Sequence, residues 1–318
     1  MLQVVAAYLV DLLVGDPRWL PHPVVIIGKI IAGLEKILRR VAKNPFSLRV
    51  AGVVLAAVVV GSSYLAAYLL VSLAALVHPW LALGLEVWLI STTFAVRGLA
   101  GAARDVLRPL SRGALDLARR QVGFIVGRDT HRMDAREVAR ATVETVAENI
   151  VDGFVSPLFY ALIGGAPLAM AYRAVNTLDS MVGYRNDLYR DLGWASARLD
   201  DVANFLPARW AGLLLVAAAW LSGRRAGEAW QAIRKDAPRH PSPNSGIPEA
   251  AMAGALGIRL GGLNYYGEQA SFRAYLNESG HPPQIDHIRQ AVDMLYLTAA
   301  LAVLSGLAVK LLFFYSLL

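Results

Sequence analysis

Charged residues recur at every fourth position between residues 140 and 152. Arg140, Glu144, Glu148 and Asp152 follow one another at this interval, and Asn149 lies beside them. Side chains four residues apart lie on the same face of an α-helix, so a helix here would present three carboxylates in a row. Such a row can bind a divalent cation or accept a proton.

Two interpretations of this row are open. Arg140 and Glu144 taken alone are typical of an exposed helix with ordinary salt bridges. Glu148 and Asp152, however, lead directly into an apolar segment, where an ionised carboxylate is costly unless a partner or a metal compensates its charge. Oxygen ligands of this kind suit Mg²⁺, so we expect both acids at a metal site.

Two further polar clusters adjoin apolar runs. Residues 176–186 contain Asp179, and residues 198–204 contain Asp200 and Asp201. Each acid taken singly could be a helix cap or an ion-pair partner, and Asp200 or Asp201 could open the apolar helix that follows. Three polar clusters in one chain favour a shared site.

The segment 236–246 contains three prolines, which remove backbone donors and fix φ, so it cannot be a regular helix. Glycines at 254, 257, 261 and 262 then could let backbone amides approach a phosphate group. The alternative is a flexible cytoplasmic loop followed by a small-residue helix that packs closely against a neighbour. Any nucleotide site lacks a P-loop, because Gly28–Lys29 is followed by Ile30 rather than by Ser or Thr.

These clusters must be positioned by a largely apolar chain. The sequence is 56% hydrophobic and 17% charged, and its mean hydropathy of +0.45 is high for a soluble domain. Runs long enough to cross about 30 Å of hydrocarbon lie at 50–77, 80–96, 205–221 and 291–318, with a shorter run at 1–14. We predict an all-α, polytopic integral membrane protein with about four to five membrane-embedded helices.

The segment 150–172 is also apolar, but its glycines and prolines argue against an uninterrupted helix. Broken backbone at membrane depth persists only where protein or a water-filled cavity satisfies its polar groups, so this segment is a candidate wall of a site and could be re-entrant. Polar segments at about 97–149 and 223–290 are predicted to form cytoplasmic helices and loops, without strands. We treat residues 1–318 as one domain.

Composition excludes several kinds of chemistry and partner. The chain has no cysteine, which excludes disulfides, thiolate metal sites and a cysteine nucleophile. The net charge of +7 is concentrated between the apolar runs, where basic residues usually face the cytoplasm and anionic lipid. These basic clusters lack interleaved aromatic residues, so we expect no nucleic-acid partner.

Seven motifs occur in an order that resembles a known family. The motifs are 15–24 (GDPRWLPHPV), 128–130 (RDT), 143–149 (VETVAEN), 152–153 (DG) with 156–160 (SPLFY), 174–184 (AVNTLDSMVGY), 196–201 (SARLDD) and 240–246 (HPSPNSG). In this order they resemble the adenosylcobinamide-phosphate synthase family, the CbiB/CobD-type membrane proteins of cobalamin biosynthesis. The resemblance covers nearly the whole chain.

The resemblance implies an enzyme that joins adenosylcobyric acid to aminopropanol, or to aminopropanol phosphate, through an amide bond, with ATP and Mg²⁺ as cofactors. It implies a multi-pass protein of the cell membrane. The active site is expected to face the cytoplasm, because ATP is cytosolic. Whether the protein forms a homo-oligomer or associates with other enzymes of the cobalamin pathway stays open.

The polar clusters supply the residues for these roles. The predicted catalytic residues are Glu144, Glu148, Asp152 and Asp179. The predicted metal ligands are Glu148, Asp152, Asp200 and Asp201. The predicted substrate- and phosphate-binding residues are Arg128, Asn149, Asn176, Arg185, Arg198, Asn204, His240, Ser242, Asn244 and Ser245. The sequence does not separate metal ligands from a general base among the acids.

A transporter or permease for a corrinoid or another anionic small molecule is the alternative function. Transporters also place charged residues and broken helices at mid-membrane. The small number of spans and the lack of an evident inverted repeat favour the enzyme. A non-catalytic membrane scaffold, in which the carboxylates only pair helices, is a third interpretation.

Overall fold

The computed structural model describes residues 1–15, 22–184, 186–267 and 269–316, with side chains described as far as Leu312. Within these residues the fold is helical except for one two-stranded hairpin. The chain divides into two compact units, each built from separate stretches of sequence. The first consists of Met1–Ala95, Ser156–Asn204 and Gly306–Leu318, and the second of Val96–Val155 and Phe205–Ser305.

The first unit contains the longest apolar helix. Its helices are α1 (Leu2–Leu13), α2 (Pro23–Val41), α3 (Pro45–Val77), α4 (Pro79–Ser91), α8 (Ser156–Val182) and α9 (Trp194–Ala203). Helix α3 starts at a capping box, in which the side chain of Asn44 accepts a hydrogen bond from Ser47 N at 2.8 Å. It ends at Val77, after which His78 caps α4 and Pro79 takes the first position of that helix.

Helix α4 ends at Ser91, five residues before the end of the predicted 80–96 run. The side chains of Thr92 and Thr93 donate hydrogen bonds back to the carbonyls of Leu89 and Ile90, at 2.8 and 2.6 Å. Such local hydrogen bonds compete with helical continuation. The hydropathy profile cannot detect this stop, because the residues that cause it are only weakly polar.

The predicted break within 150–172 is confirmed. A π-helical turn, Val151–Val155, precedes α8, and inside α8 the backbone leaves helical geometry at Gly164 and Gly165. Gly165 has φ of +63°, and a Cβ there would lie 2.6 Å from Oε1 of Glu86 in α4. The backbone conformation therefore favours glycine, whereas the contact with the mobile end of the Glu86 side chain could be relieved by a rotation of that side chain.

The second unit combines short helices with the hairpin. Its elements are α5 (Val96–Ser111), α6 (Leu115–Gly123), α7 (Ala135–Ile150), α10 (Phe205–Leu221), α11 (Ala226–Lys235), α12 (Gly246–Leu256), β1 (Leu260–Tyr266), β2 (Gln269–Leu276) and the start of α13 (Ile285–Ser316). Asp134 caps α7 by accepting a hydrogen bond from Glu137 N at 2.8 Å.

Small residues allow α11 and α12 to pack closely. A Cβ on Gly254 would lie 2.6 Å from the backbone nitrogen of Ala229 in α11. Ala250, Ala251 and Ala253 on α12 are fully buried. The alternative interpretation of Gly254, as part of a closely packed helix, is therefore confirmed.

The prediction that no strand occurs is wrong. β1 and β2 form an antiparallel hairpin, with Leu263 opposite Phe272 and Tyr265 opposite Ala270. The register is irregular between Leu260 and Gly262, at a bulge. Because the bulge disrupts the alternation of buried and exposed residues in β1, the sequence shows no period of two.

Among the described residues, four helical stretches are long and apolar enough to cross a membrane, or five if the pair α9 and α10 counts as one bent span. They are Pro45–Val77, Pro79–Ser111, which takes in α4 and α5, Ala135–Val182, which takes in α7, the π-helical turn and α8, and Ile285–Leu312. The prediction of a helical, polytopic fold with four to five such helices is confirmed. Helix α1 is apolar but shorter, as the 1–14 run indicated.

Candidate active site

Glu144 is the centre of a buried ionic network in the second unit. The residue is only 5% exposed. Its Oε2 accepts a hydrogen bond from Arg128 Nη2 at 2.6 Å, and its Oε1 accepts hydrogen bonds from Arg140 Nη1 at 3.1 Å and from Gly261 N at 2.8 Å. Two guanidinium groups and a backbone amide thus compensate a carboxylate that burial alone would disfavour.

Arg140 connects this carboxylate to the hairpin. Its guanidinium donates to the backbone oxygens of Gly261 at 2.7 Å and Leu263 at 3.0 Å, and to Oδ1 of Asn264 at 3.1 Å. Arg140 is 4% exposed, so the interpretation of Arg140 and Glu144 as an exposed surface pair is wrong. The hairpin, which the sequence did not reveal, covers this face of α7.

Arg128 was predicted to clamp phosphate, and the structure gives it protein partners. Besides Glu144, its guanidinium donates to the side-chain oxygen of Asn264. Asn264 is 2% exposed and thereby receives donors from both arginines. We refer to Arg128, Arg140, Glu144 and Asn264 as the ionic network.

A small polar cavity lies beside the ionic network. It has a volume of about 110 Å³, and its wall includes Arg128, Glu144, Glu148, Asn149, Tyr266 and Arg273. Four predicted site residues therefore meet at one cavity. A fifth, Ser245, joins them because its hydroxyl donates to Oε1 of Glu148 at 3.1 Å.

A larger cavity lies where the start of α7 meets the hairpin. Its volume is about 740 Å³. The wall includes Arg132, Arg136, Arg140, Arg259 and the hairpin residues 261–265. Of the residues predicted to bind substrate, none that the structure describes lines this cavity. The ionic network separates it from the small cavity, because Arg140 and Asn264 line the large one while Arg128 and Glu144 line the small one.

The predicted loop 236–246 is ordered and largely bound to protein groups. It contains a short 3₁₀ turn, Ala237–Arg239, and no regular α-helix, as the prolines predicted. Oγ of Ser242 accepts hydrogen bonds from the backbone nitrogens of Asn244 at 3.3 Å and Ser245 at 3.1 Å. Oδ1 of Asn244 accepts one from Arg209 Nη1 at 3.1 Å.

The loop ends beside a buried pair that the sequence analysis did not identify. His240 Nε2 lies 3.5 Å from Oε1 of Glu249, and neither atom has a hydrogen bond within the described part of the chain. Burial, reinforced by Glu148 and Glu144, raises the pKa of Glu249 well above its usual value. Burial lowers the pKa of His240 to about 4. Burial thus favours the neutral form of both side chains.

Glu249 and Arg273 are the site residues that the sequence analysis missed. Arg273 lies on β2, a strand that was not predicted. The sequence does mark Glu249 as unusual, because it is the one acid in the otherwise apolar run 247–256. A lone acid in such a run indicates a compensated or protonated side chain.

The remaining predicted residues lie in other surroundings. Asp152 lies in the π-helical turn. In the first unit, Asp179 lies in the last turns of α8, where its backbone oxygen accepts a hydrogen bond from Gly183 N at 2.8 Å. Asn176 accepts one from Arg173 Nη1 at 3.3 Å. Arg185 falls outside the residues that the structure describes.

Asn204 forms a buried polar centre at the end of α9. Its Oδ1 accepts hydrogen bonds from the hydroxyls of Ser156 at 2.6 Å and Tyr172 at 2.9 Å, and its amide donates to Oδ2 of Asp200 at 2.9 Å. The suggestion that Asp200 or its neighbour opens the next helix is wrong, because both acids lie inside α9. Arg198 pairs with Asp201 across 3.9 Å at the surface.

The acids do not form a preformed metal site. Across residues 1–15, 22–184, 186–267 and 269–312, no three His, Asp or Glu side chains lie close enough together to hold a metal ion. The side chains thus do not fit a Mg²⁺ ion held by protein ligands alone. Mg²⁺ stays a prediction, in the form of a cation that accompanies phosphate groups and uses few protein ligands.

Comparison with known proteins identifies the family. The sequence model of the family described as CobD/Cbib protein matches residues 4–295. The cobalamin biosynthesis protein CobD of Geobacter metallireducens is 50% identical over 301 residues, which cover 95% of this chain and 94% of that protein. The CobD of Klebsiella pneumoniae is 45% identical over 304 residues, covering 96% and 95%.

The cobalamin biosynthesis protein CbiB of Salmonella typhimurium is 46% identical over 300 residues, which cover 93% of each chain. No solved structure matches the sequence. Both the family match and the relatives extend over nearly the whole chain, including both units. The chain therefore belongs to the CobD/CbiB family.

Proposed function

We propose that this protein acts in cobalamin biosynthesis as an amide-forming ligase of the cell membrane. Its substrates are adenosylcobyric acid and aminopropanol or aminopropanol phosphate, and it uses ATP and Mg²⁺. The names of the Geobacter, Klebsiella and Salmonella relatives support the pathway. The seven ordered motifs support the reaction, and the apolar helices support the membrane location.

One observation carries the proposal: Glu148 and Asn149 line a polar cavity one helical turn beyond the ionic network. Both oxygens of Glu144 accept hydrogen bonds from protein groups, so we assign Glu144 to holding Arg128 in position. Glu148 accepts only one hydrogen bond from the described residues, from Ser245. Glu148 is therefore the acid best able to accept a proton from a substrate.

The reaction needs activation, because a carboxylate is a poor acyl donor. ATP supplies it: the terminal phosphoryl group passes to the carboxylate as ADP leaves, and the amine then displaces inorganic phosphate. The attacking amine must lose a proton, and we assign Glu148 as its acceptor. Arg273 on the same cavity wall is suited to bind an anionic oxygen of a substrate.

The test is reconstitution of the purified, detergent-solubilised protein with adenosylcobyric acid, ATP, Mg²⁺ and aminopropanol phosphate. Corrinoid product is detected by its mass. We expect Glu148→Gln to lower the rate at least about 100-fold, because the proton acceptor is removed. Glu278→Gln, at an exposed position away from the small cavity, is the matched control and should retain the wild-type rate. Equal turnover in both variants would remove Glu148 from this role.

A transporter for a corrinoid or another anion is the second candidate. It is favoured by the ionic network, because Arg140 and Glu144 are buried charges on a helix that could span a membrane. Proteoliposomes incubated with cobyric acid and aminopropanol phosphate, with and without ATP, separate the two functions. Uptake without covalent change would support the transporter, and ATP-dependent product without uptake would support the ligase.

A further inference from the structure

We propose that the cavity of about 740 Å³ between the start of α7 and β1 binds the phosphate group of a phosphate ester or polyphosphate. We call it the arginine cavity, after Arg132, Arg136, Arg140 and Arg259 in its wall. The proposal rests on the proposed function and specifies where a phosphorylated substrate binds. The role assigned to Glu148 in the wall of the small cavity is unchanged by this proposal.

The charges in the wall leave an excess of free cations. Arg132, Arg136 and Arg259 form no ion pair with any residue that the structure describes. Of the three carboxylates in the wall, Glu137 pairs with Arg140, while Asp134, which caps α7, and Asp129 form no ion pair with a described residue. Three guanidinium groups without an ion pair thus face two carboxylates without one. This positive excess favours an anionic ligand, and guanidinium groups suit phosphate oxygens.

The hairpin gives the cavity a wall made of backbone. Gly261 and Gly262 have φ values of +82° and +96°, which favour glycine. A Cβ on Gly262 would lie 2.9 Å from the ring of Tyr275. That ring also supports the guanidinium of Arg259, which lies 4.5 Å from its centre. Glycine at these positions therefore keeps Arg259 and the aromatic ring at the cavity surface.

The size of the cavity indicates that the ligand is larger than a free phosphate ion. Binding pockets for small organic molecules usually measure about 300–1,000 Å³. A volume of about 740 Å³ can hold a phosphate together with an organic group such as a nucleoside or part of a corrinoid. Tyr265 and Tyr275 provide aromatic surface for such a group.

The arginine cavity is linked to the proposed reaction centre through two residues. Arg140 and Asn264 lie in its wall, and both also belong to the ionic network that borders the Glu148 cavity. A phosphate bound to the free arginines would therefore lie on one side of this network, with Glu148 on the other.

The experiment measures binding directly, by equilibrium dialysis of the full-length solubilised protein. The probes are a non-hydrolysable ATP analogue, aminopropanol phosphate and inorganic phosphate, each tested alone. We expect Arg132→Gln combined with Arg136→Gln to weaken binding of the analogue or of aminopropanol phosphate at least about tenfold, the effect of losing roughly one charge-assisted hydrogen bond. The probe that is affected identifies the source of the phosphate.

The matched control combines Arg112→Gln with Arg120→Gln. These arginines are also exposed, form no ion pair among the described residues and lie outside the arginine cavity. The control should bind all probes as the wild type does. Equal binding by both double variants, or a loss in both, would overturn the proposal. The two proposals can fail separately. If the Arg132 and Arg136 double variant alone loses binding but the wild-type protein forms no amide product, the phosphate site stands and the proposed function is overturned.

Discussion

Glu144 and Glu249 are both buried in the second unit, at 5% and 2% exposure, but their surroundings differ. Glu144 receives hydrogen bonds from two arginines and the amide of Gly261. Glu249 faces the neutral ring of His240, and its Oε1 has no hydrogen bond within the described residues.

The comparison shows that equal burial can stabilise opposite charge states of one side chain. Donors around Glu144 keep it ionised, because each donor interacts with the negative charge. Glu249 receives no hydrogen bond from the described residues and lies near two other acids, so burial and like charge favour its protonated form. Glu144 thus anchors a charged network, and Glu249 can remain in an apolar helix.

The largest expected effect is that of Glu144→Gln. The substitution leaves two buried arginines without their shared carboxylate, so we expect a loss of about 3–5 kcal/mol in the free energy of unfolding. Denaturant unfolding in detergent measures it. Glu137→Gln is the control, because Glu137 also pairs with Arg140 but its side chain is 43% exposed. The Glu137→Gln variant should lose less than about 1 kcal/mol in the free energy of unfolding. Similar losses in both variants would contradict the role of burial.

Gly254→Ala tests whether packing of α12, rather than charge, dominates around Glu249. The added Cβ would lie 2.6 Å from the backbone of Ala229, so we expect a loss of about 1–3 kcal/mol. Gly227→Ala is matched on the neighbouring helix α11, where a Cβ meets no atom within 4 Å. There alanine should be neutral or stabilise by up to about 1 kcal/mol, as its helix propensity predicts. Thermal unfolding midpoints of the two variants distinguish these outcomes.

Glu249→Gln tests the charge state itself. Because its folded-state pKa is raised, the stabilising contribution of Glu249 is complete below its ordinary pKa and is lost as pH rises through the folded value. Glutamine mimics the protonated acid, so the variant should gain stability relative to the wild type between about pH 5 and pH 8. Unfolding midpoints across this range provide the measurement. A constant difference between the two proteins would show that Glu249 is already ionised.

His240 provides the opposite pH dependence in the same pair. Its pKa is lowered to about 4, so its contribution is present above its ordinary pKa and is lost as pH falls toward the folded value. Below about pH 6.5, the His240→Gln variant should therefore lose less unfolding free energy than the wild type as pH falls. Unfolding midpoints between about pH 4 and pH 7 test this prediction, and an unchanged acid limb would contradict it.

Ser245→Ala has the smallest expected effect. It removes the single hydrogen bond that the described residues give to Glu148, at 3.1 Å, and should cost about 0.5–1.5 kcal/mol in unfolding free energy. Ser111→Ala, which removes only a local bond to the carbonyl of Arg108, is the control. A lower rate of product formation in the Ser245 variant alone would link the loop to Glu148. Equal rates in both variants would show that the loop 236–246 does not influence product formation through Ser245.

Part of the site was predictable because it lies on one helix. Arg140, Glu144 and Glu148 are spaced at helical intervals, and their grouping on α7 follows from that periodicity. The approach of Ser245 to Glu148 was not predictable from spacing, because 97 positions separate the two residues. The motifs suggested that both belong to a site, and only the fold brought them into contact.

The hairpin and the partner of Glu249 were missed for different reasons. The bulge and glycines of β1 remove the alternation by which strands are recognised. Glu249 was visible as a lone acid, but its environment depends on His240 and on the acids of α7. Local sequence carries no information about such neighbours.

The sequence by itself determined the helical, membrane-compatible character of the protein, the broken segment before residue 172 and the acidic face of α7. These properties follow from composition, periodicity and the fixed backbone preferences of glycine and proline. Tertiary structure alone decided which acids are charged, which arginines are engaged and where cavities lie. The reason is that desolvation and ion pairing depend on side chains that are distant along the chain and are brought together only by folding.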